Sequence, residues 1–334
     1  MNNFCLIKNK NNRDDITGYG SIDYNFLISQ SFISCESYVN FLNSVSIRTK
    51  ELNLYNDNLA KIIDLNKTIY TLKPDISPES PINYINLNNL KIYCNFLNDS
   101  NLKTIHNYPY DIENNLFDQN NAKYWIPNYN EWYKSTYYNY QNERYYTFPN
   151  SSDSIEDCRI LIDNKTNSHS PYGLINAGLK FFTIIDDQNT DFDYLIAGGS
   201  SNRHPIHSKS GVKYYVSQEY KSNYISARIC KKSETKEYTL KLYDTFGDGW
   251  GENYIIINDA NHRPITDRLY IEHGYGPLTI KLHIDKVDKN FNIRYYKHNN
   301  LSYENYYELY SSDDLIFASN MYETPPANTI ISIT

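Results

Sequence analysis

The stretch YWIPNYNEWYKSTYY, residues 124–138, decides how the first part of this chain folds. Pro127 interrupts the structure before it, because its ring removes a backbone donor and restricts the preceding residue. Asn128 is a favoured N-cap residue, and Glu131 follows it at the spacing of a capping box. The pattern predicts a helix that begins after Asn128. Glu131 and Trp132 in its first turn are either a working site or a structural corner.

Two earlier segments predict helices of the same kind. In SCESYVNFLNSV, residues 34–45, Ser34 is a candidate N-cap and apolar residues recur at helical spacing. NLNNLKIYCNFLND, residues 86–99, has an apolar face of Leu90, Tyr93, Cys94 and Leu97. Long loops rich in Asn, Asp and Ser separate these helices. This arrangement predicts an α+β fold, because a doubly wound fold would alternate helices with longer strands.

The texture of the sequence changes after the charged segment KKSETKE, residues 231–237. Short alternating segments then recur with turn residues between them, which is typical of an all-β sandwich. These segments are YTLKLYD, NYIIIND, RLYIEH, LTIKLHI, FNIRYYK, YYELYSS and LIFAS. We therefore expect a polar N-terminal arm at 1–17, a first domain at 18–232 and a β-sandwich domain at 233–334.

Charge and hydropathy exclude several classes of partner. The net charge is −7 and no basic patch is evident, so we expect no nucleic-acid binding. No apolar run approaches the ~18 residues of a membrane span. The start, MNNFCLIKNKNNRDD, lacks the apolar core of a signal peptide, which predicts cytoplasmic synthesis.

Composition points to an AT-rich genome. Tyr is very abundant at 35 residues, whereas Gly and Pro are scarce at 12 each. Asn, Ile, Tyr and Lys are encoded by AT-rich codons, and Gly and Pro are not. A large DNA virus is one source with such a genome, so a virion component is one concrete interpretation.

The cysteines predict neither zinc nor redox chemistry. The five are widely spaced, and no CxxC pair occurs among them. We expect free thiols in a reducing compartment. They are Cys5, Cys35, Cys94, Cys158 and Cys230.

Four segments in order resemble the formylglycine-generating-enzyme family, also called the sulfatase-modifying-factor domain, a variant of the C-type-lectin-like fold. FISCESYVNFLNSV resembles the family's opening helix, and SPINYINLNNLKIYCNFL resembles its second. YWIPNYNEWYKSTYY is similar to the family's "LPTEaEW" segment. SPYGLINAGLKFFTI, IAGGSS and SARIC resemble its closing motifs. The resemblance covers about residues 18–232. It implies that Glu131 and Trp132 are structural, the Trp in the core and the Glu tied to loop backbone.

The departures from the family concern its chemistry. The family's oxidase activity uses two cysteines that bind copper(I), a few residues after the "GGS" motif, and thiolates suit that ion. Here Arg203 and Ser208 stand at those positions, and no cysteine follows until Cys230. We therefore expect no copper. In many relatives "GNVWEW" supplies oxygen ligands to calcium. Residues 179–182 of this chain are Leu, Lys, Phe and Phe, whose side chains offer no oxygen.

The same loop contains one histidine pair. Arg203, His204 and His207 form a basic HxxH segment in a loop with Pro205. We treat these three residues as candidate binding residues. Two histidines can also hold a metal with a third ligand, although an exposed loop pair is more often without such a role.

The second domain carries the motif LYDTFGDGWGEN, residues 242–253, which resembles the "DxyGDGWNG" segment of small surface β-domains. Asp244 and Asp248, with Glu252 or Asn253, could converge on a hard cation such as calcium, because glycines let the loop fold back tightly. The alternative is a tight turn whose Asp side chains accept hydrogen bonds from backbone amides.

These observations favour a non-catalytic structural or binding protein on a degenerate sulfatase-modifying-factor fold. A loop-rich surface on a rigid scaffold suits recognition, and its abundance of Tyr, Asn and Ser suits adaptable contacts. The expected partners are proteins in an assembly, such as a virion, or glycans. The alternatives are an active formylglycine-generating oxidoreductase and a calcium-dependent glycan-binding module.

Overall fold

The computed structural model shows an α+β protein with 15% helix and 35% strand. It describes residues 4–7, 12–99, 108–140, 142–156, 170, 174–176, 180–186, 193–201, 203–260, 262, 264–286 and 290–333. The chain divides into two compact units, residues 1–232 and residues 233–334. Each unit has its own hydrophobic core, so each is described by itself.

In the described part of unit 1 there are three α-helices, and each begins at a side-chain cap. They are α1 (Cys35–Ser44), α2 (Leu87–Asn98) and α3 (Tyr129–Tyr137). Ser34 Oγ accepts from the backbone N–H of Ser37, as the sequence predicts. Asn86 and Asn128 each complete a capping box with the residue three positions later. The predicted start of α3 is therefore confirmed at the level of its hydrogen bonds.

The strands of unit 1 are short, and most lie in two four-stranded sheets. One sheet has the order β1-β2-β14-β7 and the other has the order β12-β11-β10-β13. The strands are β1 (Phe4–Ile7), β2 (Phe26–Ser29), β3 (Ile63–Asn66), β4 (Ile69–Leu72), β5 (Tyr110–Asp111), β6 (Leu116–Phe117), β7 (Tyr124–Trp125), β8 (Tyr138–Asn139), β9 (Arg144–Tyr145), β10 (Phe182–Ile185), β11 (Asp193–Ala197), β12 (Lys213–Ser217), β13 (Ile225–Ser226) and β14 (Cys230–Lys232).

The expected N-terminal arm is partly built into unit 1. Phe4–Ile7 forms β1, which pairs antiparallel with β2 along its whole length. Leu6 and Ile7 are buried. Burial of an apolar side chain stabilises such a strand by roughly 1.5–3 kcal/mol, which explains why the sequence pattern of a polar arm is misleading here.

The core of unit 1 has two parts. Phe41 and Trp125 belong to the larger cluster, and Phe96 packs against it half-buried. Trp132 is fully buried in a second cluster with Tyr129, Tyr133 and Tyr137. Apart from the half-buried Tyr124, the aromatic residues of the opening stretch are therefore core residues, although Trp132 does not share a cluster with Phe41.

Arg228 ties three segments of unit 1 together from a fully buried position. Its guanidinium donates to the carbonyl oxygens of Ser29, Gln30 and Ile175 and stacks on the ring of Phe32. Burial lowers its pKa to about 9. This fork of donors suits three carbonyls that a lysine could not reach together.

Unit 2 consists of two antiparallel sheets that share one hydrophobic core. Their orders are β17-β15-β19-β20 and β16-β18-β21. The strands are β15 (Thr235–Asp244), β16 (Tyr254–Asp259), β17 (Leu278–Asp285), β18 (Asn290–Tyr296), β19 (Asn305–Ser311), β20 (Asp314–Ala318) and β21 (Asn328–Ser332). A 3-10 helix, Asn300–Glu304, leads directly into β19.

Two strand expectations in unit 2 differ from the structure. The segment RLYIEH, residues 268–273, forms only one bridge, between Leu269 and Ile255. Strand β21 has no predicted counterpart. Among the described residues, the helices are all too short and too polar to cross a membrane.

Candidate cation site

The GDGW loop, residues 245–253, follows β15 and is anchored by Trp250. The indole is buried, and its Nε1 donates to the carbonyl oxygen of Tyr243 at 2.8 Å. The backbone N–H of Trp250 donates to the carbonyl oxygen of Ile271 at 2.8 Å. Trp250 therefore anchors the loop to the core of unit 2.

Gly249 permits the tight return of this loop. Its φ is +96°, and a Cβ there would overlap the carbonyl oxygen of Glu272. Its N–H donates to Asp244 Oδ2 at 2.6 Å. Only glycine combines a positive φ with so close a backbone approach. The loop consequently folds over the end of β15, where Asp244 lies.

Three carboxylates converge at this point. Asp244, Asp248 and Glu304 each place an oxygen within 4.8 Å of the other two, and we call them the acidic cluster. Asp244 and Glu304 are buried, at 2% and 3% exposure, whereas Asp248 is exposed. Solvent therefore reaches the acidic cluster from the side of Asp248, whereas Asp244 and Glu304 are covered by the protein.

Backbone pairing brings Glu304 to the loop. The N–H of Thr245 donates to the carbonyl oxygen of Glu304 at 3.0 Å. Asn305, the next residue, lies directly opposite Asp244 in the β15–β19 pair. Directly opposed residues share one face of a sheet, so the two side chains are neighbours.

Three buried oxygen atoms, one in the acidic cluster and two on residues that adjoin it in sequence, have no hydrogen-bond partner among the described residues. They are Glu304 Oε1, Thr245 Oγ1 and Asn305 Oδ1. Burial of a polar atom without a partner costs about 1–3 kcal/mol, so native structures rarely leave several together. Oxygen atoms can be satisfied here by donors or by a cation.

The electrostatics of the acidic cluster favour a positive charge. Burial, followed by the charges of Asp248 and Asp244, raises the pKa of the Glu304 carboxyl above its ordinary value. A neighbouring cation would relieve this repulsion.

Asp244 also shapes the loop by ordinary hydrogen bonds. Its Oδ1 accepts from the N–H of Phe246 at 3.3 Å, and its Oδ2 accepts from Gly249. The alternative of a tight turn, in which an Asp side chain accepts hydrogen bonds from backbone amides, is therefore seen at this residue. A carboxylate oxygen has more than one lone pair, so these bonds leave capacity for a cation.

The other two expected ligands lie differently. Asn253 is buried, and its Oδ1 accepts from the backbone N–H groups of His298 and Asn299. Its Nδ2 donates to Asn299 Oδ1 at 2.7 Å. Glu252 is exposed, and among the described residues the acidic cluster does not include it. Glu304 occupies the third position that sequence reasoning gave to Glu252 or Asn253.

The histidine pair of unit 1 is held by local contacts. His204 is exposed, and its Nδ1 accepts from the N–H of Ile206 at the start of the 3-10 helix Pro205–Ser208. His207 Nδ1 is hydrogen-bonded to the hydroxyl of Tyr214. Arg203 is exposed. Among the described residues, no cluster of metal-ligating side chains includes either histidine.

Arg203 and Ser208 stand at the positions where the family that the sequence resembles has its copper-binding cysteines. Ser208 is buried, and its Oγ has no hydrogen-bond partner among the described residues. Cys35 and Cys94 lie buried in helices, and Cys230 is buried in β14. Burial raises the pKa of these three thiols, which makes them poor nucleophiles and ligands. Cys158 and Leu179 lie outside the described residues.

Glu131 is fully buried and fully hydrogen-bonded. Its Oε1 accepts from the hydroxyl of Tyr24 at 2.6 Å and from Trp125 Nε1 at 2.9 Å. Its Oε2 accepts from the N–H of Asn128 at 2.7 Å. Burial raises its pKa to about 7. These contacts satisfy the carboxylate from all sides, so the structural interpretation of this corner fits the geometry.

No protein-family model matches the chain, and no curated protein matches its sequence. Similar solved structures include Treponema denticola variable protein 1, PvdO from Pseudomonas aeruginosa and CarF, with identities of 12%, 11% and 13%. The alignments cover 68%, 69% and 70% of this chain, and 94%, 92% and 99% of the three matched chains, respectively. The TM-scores are 0.40, 0.36 and 0.47. Similarity at this level assigns neither a family nor a function.

Proposed function

We propose that this chain is a non-catalytic binding or structural protein whose second unit holds a divalent cation in the acidic cluster. The observation that carries the proposal is Glu304 Oε1, a buried carboxylate oxygen with no donor among the described residues. It belongs to a carboxylate that faces two others within 4.8 Å. A bound cation would coordinate the unpartnered Glu304 oxygen and would also relieve the repulsion among the three carboxylates.

Calcium suits the available ligands best. The cluster offers only oxygen atoms, which hard cations prefer over zinc or copper. Calcium takes about 6–8 oxygens in irregular arrangements, whereas magnesium demands a near-ideal octahedron. Asp244, Asp248 and Glu304 provide carboxylates, and Thr245 and Asn305, which adjoin Asp244 and Glu304 in sequence, offer buried neutral oxygens without a hydrogen-bond partner among the described residues. A mixed, irregular set of this kind favours the larger ion.

For unit 1 we propose a degenerate sulfatase-modifying-factor domain that serves as a scaffold. Four sequence segments in the family's order support this proposal. The absence of any cysteine between Gly199 and Arg228 argues against copper-thiolate oxidase chemistry. Composition supports an assembly role, with a virion of a large DNA virus as the concrete setting.

Calcium titration of the full chain tests the cation site. After removal of metals by a chelator, calorimetric titration should show one calcium site. Asp248→Asn and Glu304→Gln should each weaken binding by about tenfold or more, since each removes a charged ligand. Glu252→Gln removes an equal charge from the same loop outside the cluster and is the matched control. Absence of calcium binding, or equal loss in the control, would refute the site.

A further inference from the structure

Three exposed aromatic rings lie on or next to the segments that carry the acidic cluster, and we call them the aromatic rim. They are Phe246, Tyr275 and Tyr303, with exposed fractions of 57%, 66% and 41%. Large aromatic side chains stabilise a protein when they are buried, so three exposed rings in one place need another explanation. Adjacent exposed apolar groups commonly mark a binding surface.

The aromatic rim is built by the same segments as the acidic cluster. Phe246 lies in the GDGW loop between Asp244 and Asp248, and its ring contacts that of Tyr303 at 6.1 Å between centroids. Tyr303 directly precedes Glu304 in the chain. The segments that carry these two rings also carry the carboxylates. The same backbone contacts therefore set the positions of both.

Tyr275 contacts the loop from a separate segment of the chain. Its ring lies so close to Gly247 that a Cβ at that position would reach within 2.7 Å of it. The N–H of Asp244 donates to the carbonyl oxygen of Tyr275 at 3.0 Å. Tyr275 therefore packs against the loop at Gly247, the residue before the exposed Asp248.

Charge around the site argues against an anionic ligand. Asp248, Glu252 and Glu272 are all exposed on the segments that form it. An acidic polymer or a phosphate would be repelled by these carboxylates unless it contributed its own cations. A neutral ligand avoids this cost.

We infer that the aromatic rim and the bound cation together recognise a neutral sugar ring with two adjacent hydroxyls. The inference rests on the proposed cation site. With one oxygen from each carboxylate and with Thr245 and Asn305 as two neutral ligands, the protein supplies five of the about 6–8 oxygens that calcium takes, so positions remain on the exposed side of Asp248. Hydroxyl oxygens are suitable hard ligands for those positions. The apolar C–H face of the same sugar can stack on a rim ring, which combines one polar and one apolar contact, as small-molecule sites commonly do.

The test uses methyl α-mannopyranoside and methyl β-galactopyranoside with the full chain, observed by ligand-based saturation-transfer NMR. Signals should appear with calcium and vanish with chelator. Phe246→Ala and Tyr303→Ala should weaken sugar binding by about tenfold, while calcium affinity measured in parallel stays within about twofold of wild type. Tyr322→Ala is the matched control, because Tyr322 has the same exposed fraction as Tyr275, 66%, and lies in the same unit.

The outcomes separate this inference from the cation site. Calcium binding without sugar binding overturns the inference and leaves the cation site standing. Sugar binding that persists in chelator overturns it as well, since the aromatic rim would then act without the cation. Equal loss in Tyr322→Ala also counts against it. Calcium-dependent binding lost only in the rim variants supports it.

Discussion

The backbone N–H of Thr245 donates to the carbonyl oxygen of Glu304 at 3.0 Å, across 59 positions of sequence, and this bond sets the third carboxylate beside the GDGW loop. Asp244 ends β15, Asp248 lies in the GDGW loop that follows it, and Glu304 comes from the 3-10 helix before β19. The site therefore depends on strand pairing as much as on the motif. Substitution of Glu304 should therefore weaken cation binding as much as substitution of an Asp in the motif.

Glu304→Gln should change the stability of unit 2 in opposite directions with and without calcium. In chelator the substitution removes a buried charge that faces two carboxylates, so we expect a gain of roughly 1 kcal/mol. With calcium at about a hundred times its dissociation constant, wild type gains about 2.7 kcal/mol from binding, and the variant loses most of that gain. Thermal unfolding in both buffers measures the two effects. A variant that is less stable by the same amount in both would contradict the cation site.

The sequence predicted part of this site and could not predict the rest. Asp244 and Asp248 can be predicted because Gly247, Gly249 and Gly251 mark a loop that folds back on itself. Glu304 and Asn305 are not, because their place depends on the register of β19 against β15, which pairs Asn305 with Asp244. Alternation identifies a strand but leaves its partner and register open. Glu252 and Asn253 were expected because they are near in sequence, whereas Asn253 is used to hold the backbone at His298 and Asn299.

The fold shows the same division between local and distant information. The three helices and their caps follow from local signals, since a cap and an apolar face lie within a few residues. Strand β1 was missed because Phe4–Ile7 is flanked by polar residues and gains its stability from pairing with β2. RLYIEH alternates like a strand, yet only Leu269 pairs, because the segment is used to support the GDGW loop through Ile271 and Glu272.

Trp132→Ala should destabilise unit 1 by roughly 3–5 kcal/mol, the usual cost of a large core truncation. Trp132 is fully buried against Tyr129 and Tyr137, with centroid distances of 5.9 and 5.5 Å. Because the proposed calcium site is in unit 2, the calorimetric transition that calcium leaves unchanged identifies unit 1. This transition should move to lower temperature in the variant. Tyr220→Ala, which removes a ring 46% exposed, serves as the control and should have little effect. An unchanged transition in Trp132→Ala would show that the side chain is dispensable for packing.

Glu131 should make unit 1 less stable as pH rises from about 4.5 to about 7. Burial raises its folded-state pKa to about 7 from the ordinary 4.5, so the folded state holds the proton more tightly than the unfolded state. This contribution is therefore fully present below pH 4.5 and is lost as pH rises through the folded pKa, on the order of 3 kcal/mol in all. Glu131→Gln, measured by denaturant unfolding across this range, should lose this slope. It should also be less stable, because an amide nitrogen would replace the Oε2 that accepts from Asn128. A slope retained in the variant would assign the titration to another group.

The chain should not oxidise a sulfatase-derived cysteine peptide after anaerobic loading with copper(I). The segment that follows Gly199 has no cysteine before Cys230, and Cys230 is buried in β14 opposite Trp125 and Ile28. Copper(I) sites of the kind the family uses need thiolate ligands. Mass spectrometry of the peptide detects the product, and a protein with the cysteine pair intact is the positive control. Turnover above that of buffer containing copper alone would refute the non-catalytic proposal.

Gly249→Ala should disrupt the GDGW loop and remove calcium binding with it. Gly249 has a φ of +96°, and an added Cβ would overlap the carbonyl oxygen of Glu272, which is backbone and cannot turn aside. A residue other than glycine at positive φ costs about 1–2 kcal/mol before any clash.

Gly274→Ala separates the two effects, since Gly274 has a φ of +91° with no atom within 4 Å of the added Cβ. We expect Gly274→Ala to lose only the conformational term and to bind calcium normally. Gly249→Ala should lose considerably more stability, and its Asp244 should no longer accept the 2.6 Å bond from residue 249. Equal stability in the two variants, measured by denaturant unfolding with calcium titration in parallel, would mean that the close approach to Glu272 does not hold the loop.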